Sequence, residues 1–116
     1  MIIEHETNVT AKTFASPEVK AAAMKVLIGA AQGWDDHVMR IIELDEGGYS
    51  PKHAHDWPHF NYVVEGHGVL QVDGNDTSVE VGSFAVVPAN TEHQYRNAGP
   101  GKFRFICIVP SHGHIA

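Results

Sequence analysis

Basic residues are scarce in this sequence, cysteine is nearly absent, and long apolar runs do not occur. Lys and Arg number 8 against 14 Asp and Glu, a formal charge of −6. No run of five basic residues appears. Nucleic acid is therefore not expected as a partner, because phosphate binding needs clustered cations. No apolar stretch approaches the roughly 18 residues of a membrane helix, so no membrane association is expected. The opening MIIEHETNVT lacks a basic segment followed by an apolar block and does not read as a signal peptide. The single cysteine, Cys107, has no partner for an internal disulfide, and a reducing, cytoplasmic setting follows. Helical periodicity is weak throughout.

What is present is a series of short alternating runs broken by Gly, Pro, Asn and Asp. They are Lys25–Ala30, His37–Leu44, His59–Gly66, Gly68–Gly74, Thr77–Gly82, Ser83–Pro88, Glu92–Asn97 and Lys102–Pro110. DGND after Gln71-Val72 marks a hairpin turn. About eight strands separated by turn signals predict an all-β sandwich or barrel. One helix is a candidate, Ser16–Lys25, where Ser16 would cap and Pro17 would sit in the first turn. With 116 residues the chain reads as one domain: an N-terminal arm over about 1–24, the barrel over about 25–110 and a frayed tail at 111–116.

Nine histidines stand out in a chain with so few cations. His53, His55, His59 and His67 fall between Gly47 and Gly68. Imidazoles repel one another once protonated, so a cluster implies an agent that keeps them neutral, most often a metal ion. Residues i and i+2 of a strand share a face, which lets His53 and His55 converge. Pro58 should sit at a strand start, so that His59 opens the next strand and points back. His93, beyond a full hairpin, is the fourth candidate. His67, between two glycines, is expected to be exposed and not a ligand. His5, His37, His112 and His114 lack a partner at ligand spacing, apart from the His112–His114 pair in the tail.

At these residues the chain resembles the cupins. Gly47, His53, His55, His59 and Gly66 match every spacing of the first cupin motif, with His59 where Glu is usual. Gly82, Pro88, Asn90, His93 and Asn97 match the second, with Asn90 in place of Gly. The resemblance implies a cupin-type double-stranded β-helix, a jelly-roll barrel, holding one divalent metal ion on His53, His55, His59 and His93. The chain is similar to the single-domain bacterial cupins with four histidine ligands, typified by a small manganese-binding protein. Manganese or iron is therefore expected first. Imidazole also suits nickel, zinc and copper.

The missing carboxylate leaves the double positive charge of such an ion uncompensated. An anionic or enolic small-molecule substrate is the expected ligand. The residues expected beside the ligands are Arg40, Trp57, Tyr95, Phe105 and Cys107. Tyr95 shares a strand face with His93, and Phe105 shares one with Cys107. Arg40 lies on the face of its strand that reads as core, either as a buried anion binder or with its stem carrying the charge out to solvent. The resemblance places Cys107 near the metal, where oxidation of the thiol is expected. No nucleophile triad and no phosphate-binding loop are visible. Three functions follow. The first is a metal-dependent dioxygenase-like enzyme. The second is a ring-opening or isomerase activity on an unsaturated uronate, which would need Arg40 or Arg96 to face inward. The third is non-catalytic binding of a metal or small molecule. Small cupins are commonly dimers, so a homodimer is expected.

Overall fold

The computed structural model describes residues 1–14 and 16–114. Its nine strands are β1 (Lys12–Thr13), β2 (Lys20–Ile28), β3 (His37–Tyr49), β4 (His59–Glu65), β5 (His67–Val72), β6 (Asn75–Glu80), β7 (Phe84–Val87), β8 (His93–Asn97) and β9 (Phe103–Pro110). Every pairing is antiparallel. The order along the sheet is β6-β5-β8-β3-β9-β4-β7, with β2 on β3 and β1 on β2. The sheet curls into a half-barrel, the jelly-roll arrangement expected from the turn-punctuated pattern. No helix among the described residues is long and apolar enough to cross a membrane.

The turns follow from residues that tolerate positive φ. Asp73 and Gly74 lie at φ 48° and 80°, and Val72 faces Asn75, which makes the two-residue turn that DGND predicted. Asn90 sits at φ 61°, where Asn can stand in for the usual Gly. β9 alternates as expected: Phe103, Phe105, Cys107 and Val109 are buried, and they join Leu44, Val63, Leu70, Val87 and Tyr95 in the core.

Four expectations need correction. The helix over Ser16–Lys25 does not form: a turn precedes Lys20, and β2 runs from there. Alanine's helix preference is worth only tenths of a kcal/mol per residue, whereas the edge of β3 offers a ladder of backbone hydrogen bonds. The segment carrying His53 and His55 is no strand but a loop fastened by a single bridge to His93. On β3 the face of His37, Met39, Ile41 and Glu43 carries polar residues at both ends and reads as meeting solvent there, yet at the Glu43 end both Ile41 and Glu43 are buried. Arg104 from β9 pairs with Glu43 at 2.9 Å and with Glu65 at 3.2 Å, and it also binds Glu6 of the N-terminal segment. Lys25 reaches the same Glu6 carboxylate at 3.3 Å, so the chain start is strapped across this face. Finally, the tail is seated over its first four residues, where Ser111–Gly113 form a 3₁₀ turn and Gly113 lies buried against Trp57. Residues 115–116, the rest of the tail expected to fray, lie outside those described.

Candidate metal centre

The loop that leaves β3 is laced onto β8. Ser50 N–H donates to the Tyr95 carbonyl at 2.9 Å, and His53 and His93 exchange both backbone bonds, at 3.2 and 3.0 Å. Asn90 N–H then donates to the His55 carbonyl at 2.6 Å. This backbone lacing brings a loop and a distant strand together, and one ligand atom each of His53, His55 and His93 lies within 4.8 Å of the others. His59, first residue of β4 after Pro58, adds its ring from the side. Its Nε2 lies 3.1 Å from His55 Nε2, and its centroid is 4.7 Å from that of His93.

The far side of each ring decides which nitrogen faces inward. His93 Nδ1 donates to the Thr91 carbonyl at 2.9 Å, which leaves Nε2 as a bare lone pair, buried and without a partner. His59 Nδ1 lies 3.1 Å from Cys107 Sγ. Ligation through Nε2 puts the proton on Nδ1, which then donates to sulfur. Burial and the neighbouring imidazoles pull His59 down to about 3, and Arg40 adds to that fall. Burial of the ring among the others takes His53 down to about 4, even though the residue as a whole is exposed. His55 and His93 are lowered too, chiefly by burial. Neutral imidazoles at His53, His55 and His93, with His59 Nε2 3.1 Å from His55 Nε2 beside them, form a donor set that suits a divalent cation.

Of the five neighbours expected from the sequence, Cys107 meets His59, Arg40 meets Cys107, Trp57 meets His55 and Tyr95 meets His93 edge-on, while Phe105 packs on Tyr95. Arg40 is buried, its Nη2 donates to Cys107 Sγ at 3.2 Å, and its Nε–H has no partner among the described residues. Its charge therefore stays inside, and no carboxylate pairs with it among the described residues. Cys107 is buried and bridges Arg40 and His59, and burial pushes its thiol up. Trp57 stacks on His55 with centroids 4.2 Å apart and planes 7° apart. Tyr95 stacks on Phe105 at 4.4 Å and donates its hydroxyl to Asn61 Oδ1 at 2.5 Å. Burial pushes the Tyr95 phenol well above its usual range.

Other candidates lie outside the cluster. Arg96 faces away and pairs with Asp76 at 2.8 Å. His67 is exposed, as expected, at the start of β5. His112 packs its ring edge-on to Trp57 at 5.5 Å, and His114 has a buried, unpartnered Nδ1. Asn61 was missed, although period-two alternation from His59 puts it on the same face. Thr91 was also missed, because its contribution is a backbone carbonyl and no side-chain pattern reveals it.

The cupin domain family model matches residues 40–109. Among curated proteins the chain is similar to the dimethylsulfoniopropionate lyase DddW of Ruegeria pomeroyi, 33% identical over 70 residues, which are 60% of this chain and 45% of the lyase. The chain thus spans under half the length of that relative. Among solved structures it superposes on the polyketide cyclase RemF of Streptomyces resistomycificus with a TM-score of 0.88 and 28% identity, covering 95% of this chain and 79% of that one. A cupin 2 conserved barrel protein of Rhodopseudomonas palustris gives a TM-score of 0.80 and 27% identity over 90% and 72% of the two chains.

Proposed function

The chain belongs to the cupin domain family, and on that premise we propose that it is a metal-dependent, dioxygenase-like enzyme acting on a small anionic or enolic substrate. The observation that carries this reading is the charge balance of the site. Four imidazoles and the Arg40 guanidinium gather there, and none of the buried polar residues described brings a carboxylate to them. Glu43, the one buried acid among the described residues, is held by Arg104.

A divalent ion on His53, His55, His59 and His93, manganese or iron first, would supply Lewis acidity and one-electron chemistry. The chain's own residues do the rest. Arg40 offers its unpartnered Nε–H to the carboxylate or enolate of the substrate. Trp57 and Phe105 keep water from the ring faces they cover. Cys107 fixes the tautomer of His59, and the Thr91 carbonyl fixes that of His93. His53, the exposed member, marks the side from which substrate enters.

The absence of a buried carboxylate at the rings, among the described residues, also separates this reading from its nearest rival. Proton abstraction by an isomerase or lyase needs a base poised near neutrality. Tyr95 and Cys107 are both held protonated by burial. The rival keeps one point in its favour: Arg40 faces inward, as a uronate carboxylate would require. The relatives that act as a lyase and a cyclase also belong on that side.

The test begins with elemental analysis of protein purified without added metal, expected to find close to one manganese or iron per chain. Oxygen-electrode screening of small enols and 2-oxo and hydroxy acids should then show uptake that a chelator abolishes. Metal far below one per chain overturns the reading. So does turnover of an unsaturated uronate without oxygen consumption, which would establish the rival.

A further inference from the structure

We propose that the C-terminal turn Ser111–Gly113 is a latch that sets the ring plane of His55 by pinning Trp57 against it, so that Trp57 and Gly113 are positioning residues for the ion. This rests on the reading of the histidine cluster as a metal site. A ligating imidazole usually has its far nitrogen fixed by a hydrogen bond, which sets tautomer and orientation together. His93 has the Thr91 carbonyl for this, and His59 has Cys107 Sγ. His55 differs. The Trp57 backbone lies near enough to favour a proton on that ring, yet Nδ1 is buried with no partner in hydrogen-bonding geometry among the described residues. What fixes the plane of His55 is the stack on the Trp57 indole, 4.2 Å away and 7° from parallel.

The indole in turn is held by packing. Its Nε1 is buried and has no hydrogen-bond partner among the described residues. The tail presses on it instead. His112 sets its ring edge-on to Trp57 at 5.5 Å, and the buried Gly113 lies against the pyrrole side of the indole. The backbone at Gly113 is of a kind that any residue adopts, so its missing side chain is a matter of space. A Cβ there would lie 2.6 Å from Trp57 Cε2 and Nε1 and 2.7 Å from Cδ1. The indole could yield to it only by shifting against the His55 ring or breaking the stack.

The other end of the latch is anchored on the chain entering β3. Ser111 N–H donates to the Asp36 carbonyl at 3.0 Å, and the Ser111 hydroxyl donates to the Asp35 carbonyl at 2.7 Å. His114 N–H closes the turn on the Ser111 carbonyl at 3.2 Å. Stability alone does not account for this seat, since it leaves Trp57 Nε1 and His114 Nδ1 buried without a partner among the described residues, and such groups are costly. The seat does account for the one ligand ring whose far nitrogen no hydrogen bond orients. It makes the grip on the ion depend on a segment that lies outside both sequence motifs.

Titration of manganese(II) into the chelator-stripped full chain tests this, with the free ion read from its EPR signal. Gly113→Ala should raise the Kd by roughly tenfold or more, the usual effect of disturbing a group that orients a ligand. A merely structural tail would lower the melting temperature of the metal-free protein and leave the Kd where it was. Trp57→Leu, which removes the stack, should raise the Kd likewise and stands in should Gly113→Ala fail to fold. Trp57→Phe removes the Nε1 and Cε2 atoms that the added methyl meets. Gly113→Ala should therefore weaken binding by a clearly smaller factor in that background than in the native one. A Kd unchanged by Gly113→Ala or by Trp57→Leu overturns the proposal. So does a loss from Gly113→Ala that is as large with Phe at position 57 as with Trp. Native protein that takes up no manganese, iron(II) or zinc overturns the metal reading together with this proposal, whereas tight binding shared by all the variants overturns this proposal alone.

Discussion

Arg40 is the residue at which stability and function pull apart. A guanidinium taken out of water costs several kcal/mol unless an anion and hydrogen bonds compensate it. Among the described residues its only side-chain partner is a thiol, and its Nε–H has none. A neutral neighbour would repel neither the protonated forms of His55 and His59 nor a cation held among the imidazoles. Arg40→Met keeps most of the stem's packing and removes the charge. It should stabilise the fold by about 1 kcal/mol or more, read as a melting temperature several degrees higher, since 1 kcal/mol is roughly 4–8 °C in a domain of this size. The same variant should lose turnover of anionic substrates while still binding the metal. A lower melting temperature with undiminished turnover would show that Arg40 is a structural residue and no anion binder. The lone arginine on a core face was readable from the alternation of β3. That its charge goes unpaired was not, because pairing depends on what β9 places opposite it.

The strands show the same division between what a local pattern reveals and what only packing decides. β4, β5, β7, β8 and β9 begin and end within a few residues of their apolar runs because Pro58, Gly66, the Asp73–Gly74 turn, Gly82, Pro88 and Gly101 punctuate them. β2 was misread over its first half because Ala22, Ala23 and Met24 carry little β signal of their own, and their strand state comes from pairing with Ile42, Glu43 and Leu44. In the site, three candidate ligands, His53, His55 and His59, came from spacing within one segment, and the fourth, His93, needed a motif. The lacing that unites them is backbone hydrogen bonding, which side-chain identity does not encode. Gly68 belongs to the second class. It sits in β5 with nothing special in its φ, yet a Cβ there would lie 2.3 Å from the fully buried Phe103 ring. Phe103 packs on Phe105, which stacks on Tyr95, so the ring has nowhere to retreat. Gly68→Ala should destabilise by about 1–3 kcal/mol, the usual cost of overpacking a filled core. Gly74→Ala makes the comparison: its Cβ meets nothing but its φ is 80°, so it should cost about 1 kcal/mol. Urea midpoints for the two variants check the order, and a Gly68→Ala midpoint equal to the native one would mean that β5 shifts freely.

For the whole molecule, the crowding of imidazoles makes stability a function of acidity and of metal. An unfolded histidine titrates near 6.5. In the folded, metal-free chain His59 falls to about 3 and His53 to about 4, and His55, His93 and His114 are also lowered. Between those limits the unfolded state binds more protons than the folded one, so stability rises with pH and is lost on acidification. The loss should start as pH drops through about 6.5 and continue to about 4, where folded His53 begins to take up its own proton. The paired carboxylate of Glu6 is lowered from 4.5 and contributes loss of the same sign, but only in the more acid part of the range. Histidine therefore governs the first stage, and the acidic clamp on Arg104 the second. A bound divalent ion holds the imidazoles neutral in the folded state and adds stability that grows with its concentration over its Kd. The metal-free protein should thus melt progressively lower from about pH 7 to pH 5, while the loaded protein holds nearly level until protons displace the ion. Paired thermal melts with and without a chelator measure the difference. A metal-free melting temperature that stays flat across that interval would mean that the four rings are not held together as described. A loaded protein that falls in parallel with the metal-free one would mean that no ion keeps them neutral.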